Sequence, residues 1–154
     1  MKPVLTESSA GIYCPPGGFY IDPRRRVPTA IVTHAHMDHF RPGCQEYYCS
    51  SSSVDLMRLR LRGKPKVTGV EFGRRLEFGE VTVSFHPAGH ILGSSQVRVE
   101  SEGQVWVVSG DYKRGEDPSC EPFEVVPCDT FVTEATFARS AAAWRPGAEV
   151  IAEI

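Results

Sequence analysis

The sequence predicts an α+β fold, rich in short strands and poor in helices. Eight runs of three to five β-branched and aromatic residues recur along the chain, turn-forming residues separate them, and one stretch alone carries a clear helical pattern. At 154 residues the chain fits one domain with a sizeable core.

In chain order, Phe19-Tyr20-Ile21 is the first strand signal. Ala30-Ile31-Val32-Thr33 follows, an apolar run that reads as buried on both faces, and then Tyr47-Tyr48-Cys49. The helix comes next. Ser52 or Ser53 caps it, Asp55 suits its positive end, and Leu56, Met57 and Leu59 supply a buried stripe. Gly63 and Pro65 stop it. The remaining strands are expected at 67–70, 81–85, 96–99, 105–108 and 130–133, with hairpins at Gly79-Glu80 and Glu102-Gly103. Residues 148–154 begin an amphipathic helix that stops without a cap, which predicts a chain cut within a helix.

Composition is that of a soluble globular protein: 41% hydrophobic, 23% charged, mean hydropathy −0.22. A net charge of −2 gives no bulk attraction to nucleic acid. Local basic clusters are the candidate backbone contacts: Arg24-Arg25-Arg26, then Arg58, Arg60, Arg62, Lys64 and Lys66, then Arg74-Arg75. Taken singly, each also fits a solvated face. Arg58, Arg60 and Arg62 cannot share one helix face, because two-residue spacing rotates by about 200°. Five cysteines with no Cys-x-x-Cys pair exclude a disulfide framework and a separate structural zinc site. Neither a signal peptide nor a membrane span is indicated, so a reducing cytoplasm is expected.

Chemistry concentrates in His34-Ala35-His36-Met37-Asp38-His39, four metal-ligand side chains in six residues directly after a buried strand signal. Two further elements match it. His90 lies between Gly89 and Gly93, where the backbone can approach a crowded site, and Asp111 follows the buried run Val107-Val108. Asp111 can offer one oxygen to each of two cations. His86, also near a strand end, reads as lying outside the ligand set.

The order His-x-His-x-Asp-His, glycine-flanked His, strand-end Asp resembles the metallo-β-lactamase fold superfamily. Ala88-Gly89-His90-Ile91-Leu92-Gly93-Ser94, Ser109-Gly110-Asp111-Tyr112 and Thr133-Glu134-Ala135-Thr136-Phe137 are similar to its nuclease branch, the β-CASP group. Gly11-Ile12-Tyr13-Cys14-Pro15, Phe19-Tyr20-Ile21-Asp22-Pro23 and Gly110-Asp111-Tyr112-Lys113-Arg114 resemble bacterial DNA-ligase-associated exonucleases, which are akin to mRNA 3′-end processing factors. The resemblance implies an αββα sandwich with His34, His36 and His90 on one zinc and Asp38 and His39 on another. Asp111 would bridge the two, with manganese as a substitute metal. Asp22 would brace the histidine turn, and Glu134 would act catalytically with Asp38, as the acidic residue that orients a leaving-group histidine. The implied activity is DNA exonuclease, with RNA as the other substrate, in functional association with a DNA ligase. Arg24, Arg25, Arg26, Arg58, Arg62 and Lys64 would touch the nucleic-acid backbone.

Two departures temper this. Family members are longer, and they close the site with further histidines, whereas this chain has histidines at 34, 36, 39, 86 and 90 alone. Residues 1–154 are therefore expected to form the N-terminal half of the sandwich, lacking the second sheet and the β-CASP insertion, with weak or absent activity. The alternatives are another hydrolase of this fold, acting on a thioester, lactone or lactam, and a non-catalytic fragment that binds one zinc ion.

Overall fold

The structure, a computed structural model, describes residues 3–135, 149 and 151–153. Two sheets face each other. The first has six strands in sequence order: β1 (Thr6–Ser8), β2 (Gly11–Cys14), β3 (Phe19–Ile21), β4 (Thr29–Ile31), β5 (Glu46–Ser50) and β6 (Val67–Val70). Strands β1 to β3 form an antiparallel meander, and β3 to β6 run parallel. The helix α1 (Val54–Leu61) makes the crossover from β5 to β6, as a parallel pair requires. The second sheet, ordered β11-β10-β9-β8-β7, is a meander of β7 (Leu76–Phe78), β8 (Val81–Pro87), β9 (Ser95–Ser101) and β10 (Gln104–Val108). Its last strand, β11 (Thr130–Val132), returns parallel to β10.

Burial divides into two cores. Between the sheets lie Phe19, Ile21, Ile31, Val70, Val81, Val83, Phe85, Val97 and Val99. On the outer face of the first sheet, Ala30, Val32, Tyr47, Cys49 and Val67 pack against Met57 and Leu61 of α1 and against Phe40. Successive β4 residues feed opposite cores, so this strand is buried on both faces, as its unbroken apolar run predicts. All five cysteines are free. Burial pushes the Cys14 thiol up to about 11 and Cys49 up to about 12, so neither is a ready nucleophile.

Each of the eight expected strands is present within a few residues. Both hairpin turns form, and Glu102 and Gly103 each take the positive φ that a tight two-residue turn needs. Four expectations fail. The second sheet, expected to be missing, is there, because residues 76–108 fold back over the first sheet and bury its inner face. Strands β1, β2 and β7 were not foreseen; they are short, and mostly partly exposed residues build them. Ser53 stands at the helix start, but its hydroxyl donates to the Gly93 carbonyl (3.0 Å) rather than capping. Leu59 points to solvent at 76% exposure, since it sits about 200° round the helix from buried Met57. Met57→Ala should therefore cost about 2–4 kcal/mol, and Leu59→Ser less than about 0.5 kcal/mol, read from urea unfolding midpoints. Of the helical segment expected at 148–154, residues 149 and 151 are helical and 152–153 form a turn, while 148, 150 and 154 lie outside the described residues. Among the described residues no helix is long and apolar enough to cross a membrane.

Candidate metal centre

The end of β4 is pinned before the histidines begin. Val32 N donates to Tyr48 O, and the Thr33 carbonyl accepts from both the backbone N (2.9 Å) and the hydroxyl (2.7 Å) of Ser95. That clamp joins the first sheet to the start of β9. Asp22, held at φ +45 just past β3, takes Thr33 N on one carboxylate oxygen (2.8 Å) and Thr33 Oγ1 on the other (2.7 Å). Gly110 approaches the same threonine so closely that a Cβ there would fall 2.5 Å from Thr33 Oγ1. Strand β10 thus delivers Asp111 beside the histidine turn. Ser94 Oγ, accepting from His90 N (2.9 Å) and Ile91 N (3.1 Å), fixes the loop that brings His90 across.

Four side chains converge. One ligand atom from each of His34, His36, His90 and Asp111 lies within 4.8 Å of the others. His34 Nε2 is 2.9 Å from His36 Nδ1 and 3.8 Å from Asp111 Oδ2. His90 Nε2 is 3.4 Å from His36 Nδ1 and 3.7 Å from Asp111 Oδ2. A tetrahedron with metal–nitrogen bonds of about 2.05 Å has edges of about 3.4 Å, and these separations bracket that length. Protons alone fit less well. One proton on His36 Nδ1 can face His34 or His90, whereas a single cation faces all four atoms.

Tautomers agree with that reading. Thr33 Oγ1 gives its proton to Asp22, so at 3.1 Å from His34 Nδ1 it can only accept, and the His34 Nε2 lone pair is left for a ligand. Burial, reinforced by His39, His36 and His90, drives His34 down to about 2, and the same cause lowers His36, so both stay neutral and able to ligate.

A second donor set begins on the other side of Asp111. Its Oδ1 lies 3.3 Å from His39 Nε2, and Asp38 Oδ2 lies 3.7 Å from the same nitrogen. Asp22 Oδ2 takes His39 Nδ1–H at 2.8 Å, which leaves Nε2 bare. Burial alone would lower His39, but the Asp22 hydrogen bond and the charges of Asp22, Asp111 and Asp38 raise it above ordinary imidazole. Asp22→Ala should loosen a metal held by His39 by roughly ten- to a hundredfold, and should weaken the four-donor set too, because the freed Thr33 hydroxyl can then donate to His34 Nδ1; equilibrium dialysis measures both.

A cleft of about 590 Å³ opens onto this second set, lined by Asp38, His39 and Asp111 and walled by Ile12, Arg24, Trp106 and Glu134. Of the expected backbone contacts, Arg24 alone lines the cleft; Arg25, Arg26, Arg58, Arg62 and Lys64 lie on the exposed surface. His86 sits apart, on the outer face of β8, between Ser84 Oγ and Glu124 Oε1 at 3.0 Å each. Two residues at the centre carry no metal-site signal in the sequence, where Thr33 ends a strand run and Arg60 belongs to a basic cluster. Thr33 orders both histidine sets. Arg60, half-buried on α1, donates from Nη1 to the Ala35 carbonyl between His34 and His36. Helical phase separates Arg60 from Arg58, Arg62 lies past the helix end, and it takes the position of α1 on the sheet to use the difference.

No family model matches the chain. It is 33% identical over 148 residues to a probable DNA ligase of Opitutus terrae, covering 95% of this chain and 14% of that protein. Ribonuclease TTHA0252 of Thermus thermophilus is 30% identical over 77% of this chain and 34% of its own length. The transcription termination factor FttA of Methanosarcina mazei is 32% identical over 75% of this chain and 24% of its own length. The chain thus spans between about a seventh and a third of these relatives. A protein of unknown function from Enterococcus faecalis V583 shares the fold over 56% of this chain and 25% of its own, with a TM-score of 0.50 and 17% identity.

Proposed function

The chain belongs to the β-CASP branch of the metallo-β-lactamase-fold nucleases, and on that footing we propose that it supplies the metal centre of a phosphodiester hydrolase, with residues 1–154 forming part of a metallo-β-lactamase-like domain. The observation that carries this reading is Asp111, whose two oxygens face two different donor sets. His34, His36 and His90 would hold one ion, Asp38 and His39 would hold the other, and Asp111 would be shared between them. Zinc suits the nitrogen-rich set, and manganese is compatible with the carboxylate-rich one. Two such ions, when bound, would supply charge stabilisation to an attacked phosphate and would lower the pKa of a bound water.

The chain's own residues would do the positioning. Asp22 and Thr33 leave the ligand nitrogens of neutral His39 and His34 free, Asp38 adds negative charge at the cleft mouth, and Glu134, which lines the same cleft, would orient the histidine that assists the leaving group. DNA cleaved from an end is the first substrate to test, favoured by the flanks at 11–15, 19–23 and 110–114 and by a relative named as a DNA ligase, with which a functional association is proposed. Other relatives are named ribonucleases or endoribonucleases, so RNA is the second. The cytoplasm is the proposed setting.

Purified chain, loaded with zinc or manganese, should bind two ions and shorten end-labelled DNA or RNA. Intact substrates of both kinds with two ions bound would sink the hydrolase. A one-ion binding module is the second reading, because among the described residues only the first set closes into a mutually adjacent group. One ion per chain and no turnover would select it.

A further inference from the structure

Arg60 presents a puzzle in charge. Its guanidinium is tied to the carbonyl between two ligand histidines, which fixes a positive charge against the backbone of the histidine turn. A fixed cation there raises the energy of any metal ion in the four-donor site. The balance reverses once an anion joins, because the anion is attracted to both positive centres. Guanidinium is also suited to that anion. It carries five N–H donors in a rigid fork, and the Ala35 carbonyl uses one of them, which holds the group in place with donors to spare.

We propose that Arg60 binds an oxyanion of phosphate type at the metal centre, acting as the phosphate-contacting residue of the site rather than as a strut for its ligands. The proposal rests on the metal reading above and deepens it by assigning the cation that receives the substrate's phosphate. Arg58 and Arg62 are excluded from the role. Arg58 sits about 200° round α1 from Arg60, Arg62 lies past the end of the helix at φ +58, and both are exposed. Arg60 thereby singles out one cation from a basic run that looks uniform in sequence.

The test uses the full chain and inorganic phosphate. Zinc stoichiometry is measured first, in phosphate-free buffer, and phosphate is then titrated into the zinc-loaded protein by calorimetry. Arg60→Gln should keep its zinc and bind phosphate roughly ten- to a hundredfold more weakly, the loss of one charge-assisted contact. Arg60→Lys, which keeps the charge and guards against a folding defect in the glutamine variant, should fall within a few-fold of the unsubstituted chain. Arg58→Gln and Arg62→Gln should match it. Unchanged phosphate affinity in zinc-loaded Arg60→Gln overturns the proposal. So does loss of zinc in both Arg60 variants, which would make the residue a strut. If the unsubstituted chain takes up no zinc, the metal reading itself fails and the proposal with it, and the stoichiometry identifies that case before any phosphate is added.

Discussion

Asp111→Asn should leave the chain with at most one bound ion and no cleavage above background. Asp111 would be the anionic ligand shared by two dications, and its charge would offset their mutual repulsion, whereas Asp38 would bear on one of them alone. Asparagine keeps the shape, removes the charge and turns one oxygen into a donor that cannot ligate. His39 Nε2, 3.3 Å from Asp111 Oδ1, would face an amide instead. Elemental analysis of the dialysed variant, beside an assay on labelled strands, checks both halves. Two retained ions and an undiminished rate would deny Asp111 its bridging part.

Gly93→Ala should lower stability by about 3 kcal/mol or more, on the order of 10 °C in melting temperature. Two penalties add. The residue has φ +73, where an L side chain strains the backbone by about 1–2 kcal/mol. A Cβ there would also lie 2.4 Å from Ser53 Oγ, 2.6 Å from Ser53 N and 2.7 Å from Ser50 Oγ. These are the groups whose hydroxyls donate to the Gly93 carbonyl, so the start of the helix would be pushed off the loop that carries His90. Gly103→Ala separates the causes. Its φ is +75, but a Cβ would meet nothing within 4 Å, so it should show the backbone penalty alone. Equal losses in the two variants, read by thermal unfolding, would mean that crowding at Gly93 contributes nothing.

Side chains with distinctive chemistry were legible in the sequence, because imidazole and carboxylate at two- and one-residue spacing have few other uses. His34, His36, His90 and Asp111 do meet, and His39 and Asp38 lie on the far side of Asp111. Strands of four or more residues with β-branched patterns were legible too. What escaped depends on partners remote in sequence. Strand β2 exists because β1 and β3 flank it, and Leu76–Phe78 becomes a strand by pairing with β8. The second sheet is not legible in the ligand order, which resembles half a fold without showing that strands 76–108 turn back to cover the first sheet. Thr33 and Arg60 carry no metal-site signature of their own. Their roles come from a hydroxyl lodged between Asp22 and His34, and from which face α1 turns to the sheet.

The four converging donors are drawn from residue 34 to residue 111, on segments belonging to both sheets. Such contacts are among the last that a chain can make, since long loops must close before they form. An ion can therefore grip the folded chain and hardly the unfolded one, which makes it a thermodynamic witness of correct topology. By mass action, metal at about a hundred times its dissociation constant adds about 2.7 kcal/mol to the folded state. The melting temperature should then climb with the logarithm of free metal, so that heat alone reports whether the two sheets have docked in register.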